Sequence, residues 1–241
     1  MQLSNVIMKR NGQKMANLKN FGSAWGFILN DDSIAFIDNH DNQRGHGAGG
    51  DILTHKFKRN YKIANAFMLA WPYAFVQVMS SYDFPLSENW LGPPTNGGGD
   101  TKDVIINSDE TCGNGWICEH RWKTIYKMAE FRNVANAFSR GDKAFIVINN
   151  ENFDLDNVLK TSLPPGKYCD IITGNKVNNS CTGKIAKVNL DGTIKVNIPH
   201  NSDDPIFAIH SLSLIESSKI ENFFWHVINI WNNFLDLFRK K

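Results

Sequence analysis

The chain has 241 residues, 42% hydrophobic and 21% charged. That composition fits a folded protein of one or two domains and excludes wholesale disorder and a polytopic membrane protein. With 26 basic against 24 acidic residues the formal charge is +2, and no long basic run is interleaved with aromatics, so nucleic acid is not an expected partner.

The opening third reads as a short helix or irregular structure as far as Ile34-Ala35-Phe36-Ile37. This apolar run lacks alternation, which predicts a parallel strand buried on both faces. A dense polar cluster, Asp38-Asn39-His40-Asp41-Asn42-Gln43-Arg44, follows at once and leads into the glycine-rich loop 45–50. A helix is predicted over 52–70, with Ile52, Ile63, Phe67 and Met68 among its apolar positions and Pro72 as its stop. Residues 74–79 make a second strand. After the Gly-, Pro- and Asn-rich loop 90–100, helical spacing over 117–137 falls on Trp122, Ile125, Met128 or Ala129, and Val134. Alternation of strand, helix, strand, loop and helix indicates a parallel sheet with right-handed crossovers.

From Phe138 the pattern changes to short strands separated by turn signals, at 144–148, 168–172, 185–188, 194–198 and 206–214. Such spacing predicts a small antiparallel domain. The expected division is therefore 1–137, 138–217 and a tail, 218–241. In the tail, Ile220, Phe223, Phe224, Val227, Trp231, Phe234 and Phe238 share one side of an amphipathic helix. Polar residues interrupt it too often for a membrane span. A helix packed on its own protein is the favoured reading, and an interfacial or partner-binding helix the alternative.

Four cysteines fall in two close pairs, Cys112 with Cys118 and Cys169 with Cys181, neither in the C-x-x-C spacing of structural zinc sites, and no metal site is predicted. Each pair straddles turn residues, which favours local disulfides, with four buried thiols as the alternative. Disulfides imply an oxidising compartment, yet the first ten residues hold no apolar stretch of signal-peptide length. The expectation is that residues are missing upstream.

Chemistry in parallel α/β folds sits at the C-terminal ends of strands, which is where Asp41 and His40 lie. A carboxylate there can stabilise a developing positive charge, and the imidazole can donate a hydrogen bond to a substrate hydroxyl. The alternative is that the pair satisfies loop backbone groups. The loop 45–50 lacks the lysine of a phosphate cradle. Asn178-Asn179-Ser180 is a glycosylation sequon that adjoins Cys181. Trp90, Trp116 and Trp122 could stack on sugar rings, although burial in the core is the favoured reading.

The stretch Phe36-Ile37-Asp38-Asn39-His40-Asp41-Asn42-Gln43-Arg44-Gly45-His46-Gly47-Ala48-Gly49-Gly50 resembles the fourth conserved region, with its flexible loop, of the animal-type alpha-amylases. The resemblance continues through Met79-Ser80-Ser81-Tyr82, Gly92-Pro93-Pro94, the segment from Cys112 to Trp122 and Asp204-Pro205-Ile206-Phe207-Ala208-Ile209-His210. It implies the last strands and helices of a (β/α)₈ TIM barrel followed by an antiparallel Greek-key β-sandwich domain. The activity implied is endo-hydrolysis of α-1,4-glucosidic bonds in starch or maltooligosaccharides with retention, which needs a carboxylate nucleophile and a carboxylic acid. In that family these come from earlier strands than any in this chain, so the chain alone is expected to be inactive; the alternatives are a non-catalytic carbohydrate- or partner-binding remnant and a truncated product without function.

By the same resemblance Asp41 is the transition-state-stabilising carboxylate and His40 and His46 are substrate contacts. Asn39 corresponds to a chloride ligand, but Gln77 replaces the usual arginine, so chloride independence is expected. Calcium ligands belong to an earlier part of the family's chain. Both cysteine pairs match family disulfides, and a secreted monomer is the expected state. A stretch usual in the family before Ser139-Arg140-Gly141 is missing, which leaves the β domain one strand short by expectation.

Overall fold

The computed structural model describes residues 2–47, 52–136, 142–217 and Val227. It divides into two compact units, Met1–Ala129 and Glu130–Lys241. The boundary expected after residue 137 falls among residues 137–141, outside the described residues, and so does the tail helix 218–241 apart from Val227. No helix among the described residues is long and apolar enough to cross a membrane.

In the first unit, α1 (Gln2–Ile7) packs on α2 (Lys58–Ala70), and α2 lies in sequence between β1 (Ile34–Ala35) and β2 (Phe75–Val76). The two strands pair in parallel, Ile34 opposite Phe75 and Ala35 opposite Val76, as a strand–helix–strand order requires. They are shorter than expected, and they are not buried on both faces: Ile34 is 61% and Phe75 69% exposed. Among the described residues this sheet has two strands only, too small a surface to be covered on both faces, and the Ile34 and Phe75 side chains are left largely in solvent.

Helix α2 starts at Lys58, not at residue 52. Residues ahead of it are spent on other contacts. Thr54 Oγ1 accepts from Lys56 N at 3.4 Å, capping a short 3-10 turn, His55–Phe57, and Lys56 Nζ donates to the Phe84 carbonyl at 2.6 Å. From there to Ala70 the helix buries Tyr61, Ile63, Ala64, Ala66, Phe67, Met68 and Leu69, too broad an apolar surface for one stripe and the mark of a helix enclosed by its own unit. Helix α3 (Lys123–Asn136) likewise begins later than residue 117. Cys118, bonded to Cys112, holds a left-handed backbone (φ 52°), and Ile117 N donates to the Ser81 carbonyl at 2.9 Å.

The second unit is antiparallel, as expected. Strands β3 (Ala144–Ile148) and β10 (Ile206–His210) pair by themselves. A five-stranded sheet has the order β11-β5-β8-β9-β4, built from β4 (Leu155–Lys160), β5 (Gly166–Cys169), β8 (Ile185–Val188), β9 (Thr193–Ile198) and β11 (Leu214–Glu216). The hairpin of β6 (Lys176–Val177) and β7 (Ser180–Cys181) stands apart. Tyr168, Val188, Ile194, Val196 and Ile198 from the larger sheet meet Phe207 and Ile209 from the smaller one in a single buried cluster. Two sheets joined through their inner faces make this core.

Three expectations needed correction here. The strand predicted over 168–172 is β5, Gly166–Cys169, and it ends where Asp170 Oδ1 accepts from Ile172 N at 3.2 Å in a turn. The strand predicted over 206–214 is two: Ser213 Oγ donates to the His210 carbonyl at 2.8 Å and accepts from His210 N at 3.0 Å. The chain therefore turns through Ser211–Ser213, and β11 joins β5 in the other sheet. Strand β4, in contrast, was not anticipated, because the sequence LDNVLK alternates poorly and leaves Asp156, Asn157 and Val158 exposed. Its place is fixed instead by six consecutive pairs with β9, from Leu155 opposite Ile198 to Lys160 opposite Thr193.

Candidate functional site

Asp41 sits on a turn whose backbone is almost wholly engaged. Asn39 Oδ1 accepts from Asp41 N at 3.1 Å and from Asn42 N at 2.8 Å, while Asn42 Oδ1 accepts from Asn39 N at 2.8 Å. The Asp41 carbonyl accepts from Arg44 N and His46 N, each at 3.0 Å. Short amide side chains that bond nearby backbone favour such turns over regular structure. The Asp41 side chain is left out of this lattice: it is 58% exposed, the imidazole Nε2 of His40 lies 3.6 Å away, and its carboxylate accepts no hydrogen bond among the described residues. The turn thus fixes an ionisable group in place without consuming it.

A second loop is clamped to this turn by Arg44. Its Nη1 donates to the carbonyls of Leu91 at 2.7 Å and Asn89 at 3.1 Å, and Asn89 Nδ2 returns a bond to the Arg44 carbonyl at 3.2 Å. The guanidinium lies 4.6 Å from the Tyr82 ring centre and 4.3 Å from that of Phe84, a cation–π arrangement. This clamp brings Trp90 over His46, ring centres 3.9 Å apart and tilted by 31°. Trp90 is 82% exposed, so its assignment to the core was wrong; a main-chain clamp on both of its neighbours holds it at the surface. Trp116 and Trp122 are half-buried and serve structure, Trp116 through an Nε1 bond to the Lys102 carbonyl at 3.0 Å and Trp122 edge-on to Tyr61.

Beneath the turn lies a buried polar cluster that sequence reasoning missed. Asp38 is 2% exposed and accepts from the Tyr61 hydroxyl at 2.8 Å. Burial pushes its carboxyl up to about 7, against the lowering effect of the Tyr61 bond and with some help from the charge of Glu119. Glu119 is fully buried. Ser81 N donates to its Oε2 at 2.6 Å, and His55 Nδ1 lies 3.5 Å from its Oε1. Burial is the largest single influence on Glu119, raising its pKa, but the contacts of His55 and Ser81 together hold it below the usual range. Ser81 Oγ donates to Gln43 Oε1 at 3.0 Å, tying the cluster back to the Asp41 turn. The signal in the sequence was that Asp38, Ser81 and Glu119 all stand in segments carrying the family resemblance.

Both local disulfides are present, Cys112–Cys118 and Cys169–Cys181, and no free cysteine is found among the described residues. Asn39 spends its oxygen on two backbone N–H groups, and Gln77 is exposed, with its backbone N donating to the Ala35 carbonyl at 2.9 Å. Among the described residues no group of three or more His, Cys, Asp or Glu side chains is arranged to hold a metal ion. An apolar cavity of about 250 Å³ lies against β1 and α2, lined by Phe21, Phe27, Ile37, Phe67 and Trp71 among others; Asp41, His40 and His46 do not line it.

Comparison with known proteins accords with these features. The model of the family described as "Alpha amylase, C-terminal all-beta domain" matches residues 132–203. The chain is 49% identical over 233 residues to the pancreatic alpha-amylase of Rattus norvegicus, covering 87% of this chain and 46% of that protein. It is 48% identical to the alpha-amylase of Oryzias latipes, with the same coverage. Among solved structures, a complex of mutant alpha-amylase I from Eisenia fetida with maltohexaose superposes with a TM-score of 0.79 at 46% identity, over 87% of this chain and 47% of that one. Over most of its length the chain is thus similar to the animal alpha-amylases, and it spans about half the length of the curated relatives it matches.

Proposed function

We propose that this chain forms one side of an alpha-amylase-type cleft for α-1,4-linked glucan, with Asp41 facing the sugar that acquires oxocarbenium character and His40 and His46 contacting sugar hydroxyls. The observation that carries the reading is the Asp41 carboxylate itself, exposed and accepting no hydrogen bond among the described residues, on a turn whose backbone is otherwise engaged. Such a group costs no competing interaction to turn toward a developing positive charge. Retaining hydrolysis needs two further carboxyl groups about 5 Å apart across the scissile bond. In this reading neither is among these 241 residues, so the chain alone binds glucan without cleaving it.

The parallel β1–α2–β2 unit reads as the closing part of a (β/α)₈ barrel over 1–137. Support comes from apolar residues left at its surface, Ile34, Phe36 and Phe75, and from the apolar cavity beside β1, both of which further barrel elements would cover. Residues 138–217 read as a Greek-key β domain.

The residues present do not fit a chloride ion: Asn39 can offer only a neutral amide N–H, and Gln77, an exposed neutral amide, supplies no positive charge. Calcium ligands are not expected here either. Two disulfides support a secreted protein, expected as a monomer. The test is calorimetric titration of the chain with maltohexaose. Binding that weakens tenfold or more in Asp41→Asn and in His46→Ala supports the proposal, and binding unaffected by both substitutions refutes it.

A further inference from the structure

We infer that Asn178 is a site of N-linked glycosylation, placed where a bulky oligosaccharide can be carried without disturbing the fold. Across all 241 residues, Asn178-Asn179-Ser180 is the one N-x-[S/T] sequence. The structure puts it at the tip of the hairpin formed by β6 and β7, where Val177 pairs with Ser180 and Asn178 and Asn179 make the turn. Both turn residues are exposed, and Asn178 holds a left-handed backbone (φ 53°), which asparagine tolerates better than most residues. Its carboxamide makes no hydrogen bond among the described residues. A substituent on Asn178 Nδ2 therefore displaces no contact and points into no packed surface.

The same geometry sets the order of events. In the finished hairpin Ser180 Oγ donates to the Val177 carbonyl at 2.9 Å. Asn175 N donates to Thr182 Oγ1 at 2.8 Å, Thr182 N donates to the Asn175 carbonyl at 3.0 Å, and Cys181 is joined to Cys169. The hydroxyl that an acceptor sequence must present is thus committed once the hairpin closes, so transfer precedes closure. In the transfer, the Asn178 amide nitrogen attacks the anomeric carbon of a polyisoprenyl-pyrophosphate-linked oligosaccharide. An N–C bond forms, the C–O bond to pyrophosphate breaks, the lipid pyrophosphate departs and the amide proton passes to a base of the transferase. Formation of the Cys169–Cys181 bond competes with this step, since it fixes the residue next to Ser180.

The inference rests on lumenal routing, so the test supplies it. The full chain is translated behind a cleavable secretion leader into microsomes, with and without a mild reductant, and the protease-protected product is treated with endoglycosidase H. The expected result is a slower-migrating form that the glycosidase collapses, absent from Asn178→Gln and from Ser180→Ala, with a larger modified fraction when reductant delays the disulfide. Protected wild-type product that is unmodified in both conditions, or modified only under reduction, overturns the inference; so does modification that persists in Asn178→Gln. Because no folded cleft and no sugar hydrolysis is needed, a negative outcome speaks to Asn178 alone and leaves the cleft reading standing.

Discussion

The Tyr61 hydroxyl donates to Asp38 Oδ1 at 2.8 Å, so a residue within α2 holds the end of the segment that leads, three positions on, to Asp41. Both groups are buried, and a buried polar group that loses its partner costs about 1–3 kcal/mol. Tyr61→Phe should lower the stability of the first unit by that amount, read as a lower urea midpoint. It should also weaken maltohexaose binding, although Tyr61 is not placed against the sugar. An unchanged midpoint would show that the bond holds nothing.

Asp38 also makes stability depend on pH in a definite sense. Its pKa in the folded chain is about 7, above the value of about 4 in an unfolded chain. Between those two values the folded state binds the extra proton, so raising the pH withdraws stability across that window until the folded group has ionised. Glu119 runs the other way. Its lowered folded pKa gives stability present above the ordinary carboxylate range and lost as the pH falls below it. Comparison with Asp38→Asn separates the two. Relative to that variant, the wild-type chain should lose stability steadily from pH 4 to pH 7, by about 4 kcal/mol at the upper limit, and then level off. A difference that stays flat over this range would contradict the buried, protonated state of Asp38.

Arg44 joins the Asp41 turn to the loop bearing Trp90 through three hydrogen bonds. Replacing it with Gln removes the charge, the fork and the aromatic contacts together. We expect Arg44→Gln to speed limited proteolysis within residues 86–100 several-fold and to raise the fluorescence quenching of Trp90 by acrylamide, with a smaller effect from Arg44→Lys. Equal protease resistance in all three proteins would mean that the loop is held by something else.

In the second unit, Gly174 and Gly183 pass back to back, and a Cβ on Gly174 would collide with the backbone nitrogen of Gly183. Backbone cannot yield as a flexible side chain does. Gly174→Ala should therefore separate the two segments that carry the Cys169–Cys181 bond and lower the thermal midpoint of the β unit by several degrees. Gly98→Ala, which meets nothing within 4 Å, serves as the control and should leave the midpoint within a degree or two.

What the sequence disclosed and what it hid follow from how local each signal is. The apolar runs 34–37 and 144–148, the α2 periodicity and the β8 and β9 alternations are short-range patterns, and each marks an element the structure contains. Strand β4 escaped because its identity lies in its pairing with β9, which no window of its own residues contains. Burial of β1 was misjudged for the same reason: apolar character shows what a strand can bury, and the neighbours decide what it does bury. At the site, His40, Asp41 and His46 were legible as a contiguous motif. The cluster of Asp38, His55, Tyr61, Ser81 and Glu119 gathers residues from five separate places in the chain, so only folding brings it together. Trp90 was misread because an exposed tryptophan and a core tryptophan look alike until the Arg44 clamp is seen.

The central claim is that Asp41 serves a glucan cleft whose nucleophile and acid lie outside these residues. It is tested most directly by following the release of reducing ends from maltohexaose by the purified chain, beside the Asp41→Asn variant. The account predicts no release above the variant's background. Turnover by the wild-type chain that Asp41→Asn abolishes would contradict it, because a complete catalytic set would then have to reside within the 241 residues.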